Sequence, residues 1–139
     1  MNVKPTVQTK WAEMSASLKT AMGDFVRGDA SAFRRHWSLA ADVVIMGGFG
    51  GYEVGGDTVQ KRLQWAAEQY AGGEIELDHL ASFIGSDLAC TVTIEHSSGI
   101  AGAPDRTMDL RVTQVFRLEE GNWRLVHRHA DPLRPTAAP

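Results

Sequence analysis

The chain has 139 residues, 43% of them hydrophobic and 22% charged. That is the length and balance of one globular domain able to bury a core without disulfide staples, and it excludes a disordered chain. Fourteen Lys and Arg against 17 Asp and Glu, with a single cysteine, exclude a basic nucleic-acid or lipid surface, a disulfide framework and a multi-cysteine zinc module. No apolar run approaches a membrane span, and MNVKPTVQTKWAEM has no apolar signal core. The expectation is one cytoplasmic domain over residues 1–139, with an ordered core over about 6–132 and no nucleic-acid or membrane partner.

From Thr6 to Arg27, apolar residues at Trp11, Met14, Leu18, Met22, Phe25 and Val26 fall on one helical stripe. Gly28 suits a left-handed helix end, and Asp29 can cap a short second helix through Phe33 toward Trp37. Asp42–Met46 is a β-rich run ended by the glycines between Gly47 and Gly56. A third helix follows. Asp57 and Gln60 have capping-box spacing, Val59, Leu63, Ala66 and Tyr70 form the inner stripe, and Gly72-Gly73 ends it. Beyond Gly73 the period changes to that of strands: Glu74–Ile84, Leu88–His96, Thr107–Leu118 and Trp123–Ala130. Helices first and an antiparallel meander afterwards predict an α+β fold.

If Leu118 faces Trp123 across the last turn, Gln114 faces His127 and Val112 faces His129. One face then carries Met108, Leu110, Val112, Gln114, Phe116, Leu118, Trp123, Leu125, His127 and His129, and this apolar face is expected to lie against the helices. The other carries Asp109, Arg111, Thr113, Val115, Arg117, Arg124, Val126 and Arg128. In the preceding hairpin, a Ser86-Asp87 turn gives the cleaner of two registers. It turns Ile75, Leu77, His79, Ala81 and Phe83 inward with Leu88, Cys90, Val92, Ile94 and His96, and a one-residue slip reverses it.

The segment LRVTQVFRLEEGNWRLVHRHADP, from Leu110 to Pro132, resembles the closing hairpin of SnoaL-like proteins of the nuclear transport factor 2-like superfamily, which also holds ketosteroid isomerase and a kinase association domain. Arg27–Phe33, the Trp37-to-Asp42 stretch and Gly47–Tyr52 before the Asp57 helix fit the same pattern, so the resemblance spans about Thr6 to Pro132. It implies a cone-shaped barrel, a strongly bent, largely antiparallel sheet wrapped around three N-terminal helices, with a ligand-sized pocket inside. It also implies a homodimer through the outer sheet face, here Thr113, Val115 and Val126 among Arg111, Arg117, Arg124 and Arg128. Classical steroid isomerase chemistry does not follow. Its carboxylate base would fall near Gly47, and the first helix has no tyrosine.

Two inward histidines about 6.6 Å apart along a strand suit proton transfer, which makes His127 and His129 the candidate catalytic pair. Gln114 could donate to a developing oxyanion, and Trp37, Phe49, Tyr52 and His79 are the other candidate ligand-binding residues. His127 and His129 with His79, His96 or Asp131 would be the alternative metal set, but neither a metal nor a cofactor is expected. Cys90 reads as a buried inert thiol. Two functions stay open. One is a general acid–base isomerase, cyclase or dehydratase acting on a hydrophobic carbonyl substrate. The other is a non-catalytic dimeric protein that binds a small hydrophobic molecule.

Overall fold

The computed structural model describes residues 6–137. Helix α1 (Val7–Phe25) starts at Thr6, whose hydroxyl accepts a 3.0 Å bond from the Thr9 amide, and it buries Met14, Ala21, Met22 and Phe25. Gly28 ends the turn at φ 98°, a left-handed conformation that glycine adopts without strain. The Asp29 carboxylate then accepts from the Ser31 amide and sets the entry to α2 (Ser31–Arg35). A short hairpin of β1 (Val44–Met46) and β2 (Glu53–Val54) precedes α3 (Gly56–Glu68). The expected capping box at α3 does not form: Gly55 is the N-cap, and no side chain caps it. Gln60 is engaged elsewhere, accepting from Arg34 Nε at 2.8 Å and donating to the Arg34 carbonyl at 3.0 Å, which ties α3 to α2.

Four long strands follow: β3 (Ile75–Ile84), β4 (Leu88–Ser97), β5 (Met108–Glu119) and β6 (Asn122–Pro132). They join one six-stranded sheet of order β2-β1-β6-β5-β4-β3, antiparallel except where β1 runs parallel to β6. Its two ends, β2 and β3, are not paired, so the sheet curls around the helices without closing. The core between them centres on Val26, Phe33, Val43, Val59, Leu63, Phe116 and Leu125. Each such side chain contributes roughly 1.5–3 kcal/mol through burial. No described helix is long and apolar enough to cross a membrane.

The sheet departs from the expected registers at two bulges. Near the last turn the pairs Leu118–Trp123 and Phe116–Leu125 form as expected. Beyond them Val115 pairs with His127, Gln114 with Arg128, Thr113 with His129 and Val112 with Ala130, which leaves Val126 as an extra residue on β6. One inserted residue exchanges the faces of everything after it. Arg128 and Ala130 therefore turn inward, and His127 and His129 turn outward. A second register break, at Leu80, lies on β3.

Strand β4 is likewise reversed. It pairs Ala89 with Phe116, Thr93 with Val112 and Ser97 with Met108, so Ala89, Thr91, Thr93, Glu95 and Ser97 take the inner face. Leu88, Cys90, Val92, Ile94 and His96 lie outside, where Cys90 is only half-buried. The inner face of this strand is the more polar one, which is why alternation alone points the wrong way.

The outer face also resolves the expected repulsion among arginines. Arg111 grips Asp131 at 2.8 and 2.9 Å, and Arg117 grips Asp42 at 2.7 and 3.0 Å as well as Glu119. Arg124 donates to the Arg35 carbonyl, Arg128 is inside, and Val126 is buried at the bulge. His96 ties three strands together, with Nδ1 2.6 Å from Asp109 on β5 and Nε2 2.9 Å from Asp78 on β3.

These bonds, Asp109's first and then Asp78's, raise the His96 pKa above its ordinary 6.5. A raised folded pKa gives stability that is complete below the unfolded value and lost as pH rises through the folded one. The stability gap between wild type and His96→Gln, measured by urea unfolding over about pH 5 to 9, should therefore be largest at the acid end and shrink toward alkaline pH. A gap independent of pH would contradict this assignment.

Candidate functional site

The cone encloses a cavity of about 50 Å³ between α1, α2, α3 and the concave sheet. Its walls are largely apolar, with Met22, Phe25, Phe33, Leu63, Met108 and Leu110 prominent among the lining residues. At that volume it has room for little more than one or two water molecules, against the roughly 300–1,000 Å³ of common ligand pockets. A far larger groove, about 920 Å³, lies outside the cone beside α2 and the β5–β6 turn. It is a surface depression in which Ser38 donates to Glu119 at 2.9 Å, and it holds none of the buried charged chemistry.

That chemistry sits at one end of the small cavity. The Arg128 guanidinium, whose residue is 7% exposed, donates to Glu95 through Nη1 at 2.8 Å and Nη2 at 2.7 Å. Nη1 also donates to Gln114 Oε1 at 3.0 Å. Burial alone would drive the guanidinium toward neutrality, but the charge and hydrogen bonds of Glu95 outweigh it and hold Arg128 above its ordinary pKa. Beside this pair, the Tyr70 hydroxyl lies 3.1 Å from Ser97 Oγ and 3.5 Å from Met108 Sδ. Burial pushes the Tyr70 phenol up, partly offset by the Ser97 bond, so it stays protonated at neutral pH.

The cavity mouth is closed by the loop from Gly47 to Gly51. Phe49 packs edge-on to Trp65 at 5.5 Å and to Tyr70 at 6.0 Å between ring centres. Arg62 straps the loop by donating to the Gly50 carbonyl at 2.9 Å, while its guanidinium carbon lies 4.4 Å from the Trp65 ring centre. Gly48 runs against the inner strands so closely that a Cβ there would stand 2.7 Å from Leu110 Cδ1.

Of the residues singled out from sequence, Gln114 and Phe49 belong to this neighbourhood, one bonded to Arg128 and one in the wall. His127 and His129 do not. They lie on the outer face with ring centres 6.5 Å apart, His129 exposed and His127 donating through Nδ1 to the Val44 carbonyl at 2.9 Å. His79 is exposed and 3.2 Å from the Ser82 hydroxyl, on the rim of the sheet. Tyr52 is 69% exposed, and Trp37 is buried away from the cavity, against the groove outside the cone. Among the described residues no three His, Cys, Asp or Glu side chains converge as metal ligands.

The residues missed were Arg128, Glu95, Tyr70, Ser97 and Arg62. Arg128 looked like an outward charge because the bulge at Val126 leaves no mark in the residue pattern, and Glu95 because β4 turns its more polar side inward. One signal was available: four arginines on a single strand-pair face, with no acidic partner on that face beyond Asp109, argues that at least one of them is elsewhere.

Removing Glu95 would strand the guanidinium in the core. Glu95→Ala should lower stability by about 3–5 kcal/mol in urea unfolding, and Glu95→Ala/Arg128→Leu should recover most of that loss. A single-variant loss under about 1 kcal/mol, the range of an exposed pair, would contradict the buried pairing.

The model of a family described as a SnoaL-like domain matches residues 11–134. A nuclear transport factor 2-like superfamily protein from Salmonella enterica superposes with a TM-score of 0.77 at 14% identity, covering 94% of each chain. A domain with a cystatin-like fold from Nostoc punctiforme gives 0.70 at 13% identity over 96% of this chain and 81% of that one. A proposed dehydratase of the NTF2-like family from Streptomyces avermitilis gives 0.69 at 17% identity over 91% and 96%. At these identities the structures share a fold with this chain. Among curated proteins, none matches.

Proposed function

The chain belongs to the SnoaL-like domain family, and on that footing we propose that it is a small-molecule-binding protein whose cone receives a mostly apolar molecule. The observation that carries this reading is a cavity with apolar walls and one buried polar end. A fold of this size gains little net stability from a buried ion pair, since apolar residues of equal volume often serve as well or better. A guanidinium placed at the end of an apolar cavity suits recognition.

Binding without catalysis is favoured over an acid–base enzyme for a geometric reason. The titratable residues lining the cavity are Arg62, Tyr70, Glu95 and Arg128. Both carboxylate oxygens of Glu95 are held by Arg128, and the Tyr70 phenol is pushed up by burial. The histidines that would have shuttled protons face away. Toluene is larger than the resting cavity and would enter by displacing the Phe49 ring. Added to labelled protein it should shift amide resonances around Met22, Phe49, Leu63 and Leu110, and Ala66→Phe, which adds bulk to the cavity wall, should abolish those shifts. Unchanged spectra at saturating toluene would contradict the reading.

The partner proposed is a second copy, docked through the outer sheet face. Leu80, Phe83 and Leu88 are between 53% and 64% exposed there, Phe83 and Leu88 next to Cys90 and Val115, and Leu80 next to Val92 and Ile94. A monomer leaves few patches of this kind to water. Light scattering should give twice the chain mass for wild type and the chain mass for Leu88→Arg. A monomeric wild type would rule out the dimer while leaving the cavity reading intact.

A further inference from the structure

Building on the ligand-binding reading above, we propose that the molecule received by the cone is a monocarboxylate, anchored on the side edge of the Arg128 guanidinium. A guanidinium carries five N–H donors in a rigid plane. The end edge, one N–H each from Nη1 and Nη2, holds the two oxygens of Glu95. The remaining N–H of Nη1 goes to Gln114. What is left is Nε–H and the second N–H of Nη2, two parallel donors with no hydrogen bond among the described residues. This is the fork that a carboxylate accepts through both of its oxygens.

Three further features favour an anion at that fork. Arg128 is more than nine-tenths buried and lines the cavity, so little of its open edge reaches bulk solvent. The sealed, unpartnered side-chain atoms of the described residues are the indole nitrogens of Trp37 and Trp123, and Arg128 Nε is not among them. It therefore keeps some accessible surface. Two guanidiniums, Arg62 and Arg128, line the cavity against the single carboxylate of Glu95, which leaves one positive charge for a ligand to match. Size sets the rest. About 50 Å³ holds little beyond the carboxyl group itself, and Phe25, Phe33 and Leu110 supply its apolar surroundings. A tail such as that of butyrate takes the place now held by Phe49.

The test is a titration of nitrogen-labelled protein with sodium butyrate and, separately, with its neutral isostere butyramide, at constant ionic strength set with chloride. The resonance followed is the Nε–H of Arg128, assigned by its loss in Arg128→Lys. Butyrate should shift it saturably and bind about ten-fold more tightly than butyramide. The double variant Arg128→Gln/Glu95→Gln, which keeps a neutral hydrogen-bonded pair, should lose that preference. The Nε–H readout in the unmutated protein stands whether or not this variant folds. Equal binding of butyrate and butyramide would overturn the carboxylate while sparing the pocket. So would toluene binding with no response to butyrate. No response to butyrate, butyramide or toluene would overturn both.

Discussion

The feature on which the rest of this structure depends is one extra residue, Val126, in the last strand. Without it Arg128 would face outward beside Arg111 and Arg117. With it the guanidinium swings into the cone and finds Glu95 and Gln114 at 2.7–3.0 Å. An isolated buried charge would cost several kcal/mol, so the three side chains form a set in which each requires the others. The same shift carries His127 and His129 to the outer face. A single backbone irregularity thus decides which ionisable groups belong to the cavity and which to the surface.

The second constraint is the inversion of β4. Its core side is Ala89, Thr91, Thr93, Glu95 and Ser97, and its outer side is Leu88, Cys90, Val92 and Ile94. The small and polar residues inside leave room for the cavity's polar end. The apolar residues outside make a surface suited to a second copy. The cone and the proposed dimer face are therefore two sides of one strand, and apolar area withheld from the core lies on its outer side. The loop over the cavity has its own balance: Phe49 fills space between Trp65 and Tyr70, and Arg62 holds the loop by a single carbonyl.

Much of the fold was legible in the sequence, because helices with strong apolar stripes and strands bounded by glycine turns leave unambiguous patterns. The α+β class, the α1 stripe through Met14, Met22 and Phe25, and the turn-proximal pairs Leu118–Trp123 and Phe116–Leu125 are as the residue pattern implies. The candidate site was legible only at Gln114 and Phe49. Alternation fixes which residues share a face only up to the first bulge, and neither Val126 nor Leu80 is distinguished from its neighbours by residue type. For β4, alternation measures where apolar side chains lie, and there they lie outside the core.

The register of β6 against β5 decides which side chains enter the cone, and cross-strand proton contacts report it directly. The structure requires contacts pairing Val115 with His127, Gln114 with Arg128 and Thr113 with His129. Contacts pairing Gln114 with His127 and Val112 with His129 would remove the bulge, return the histidines to the cone and contradict the account.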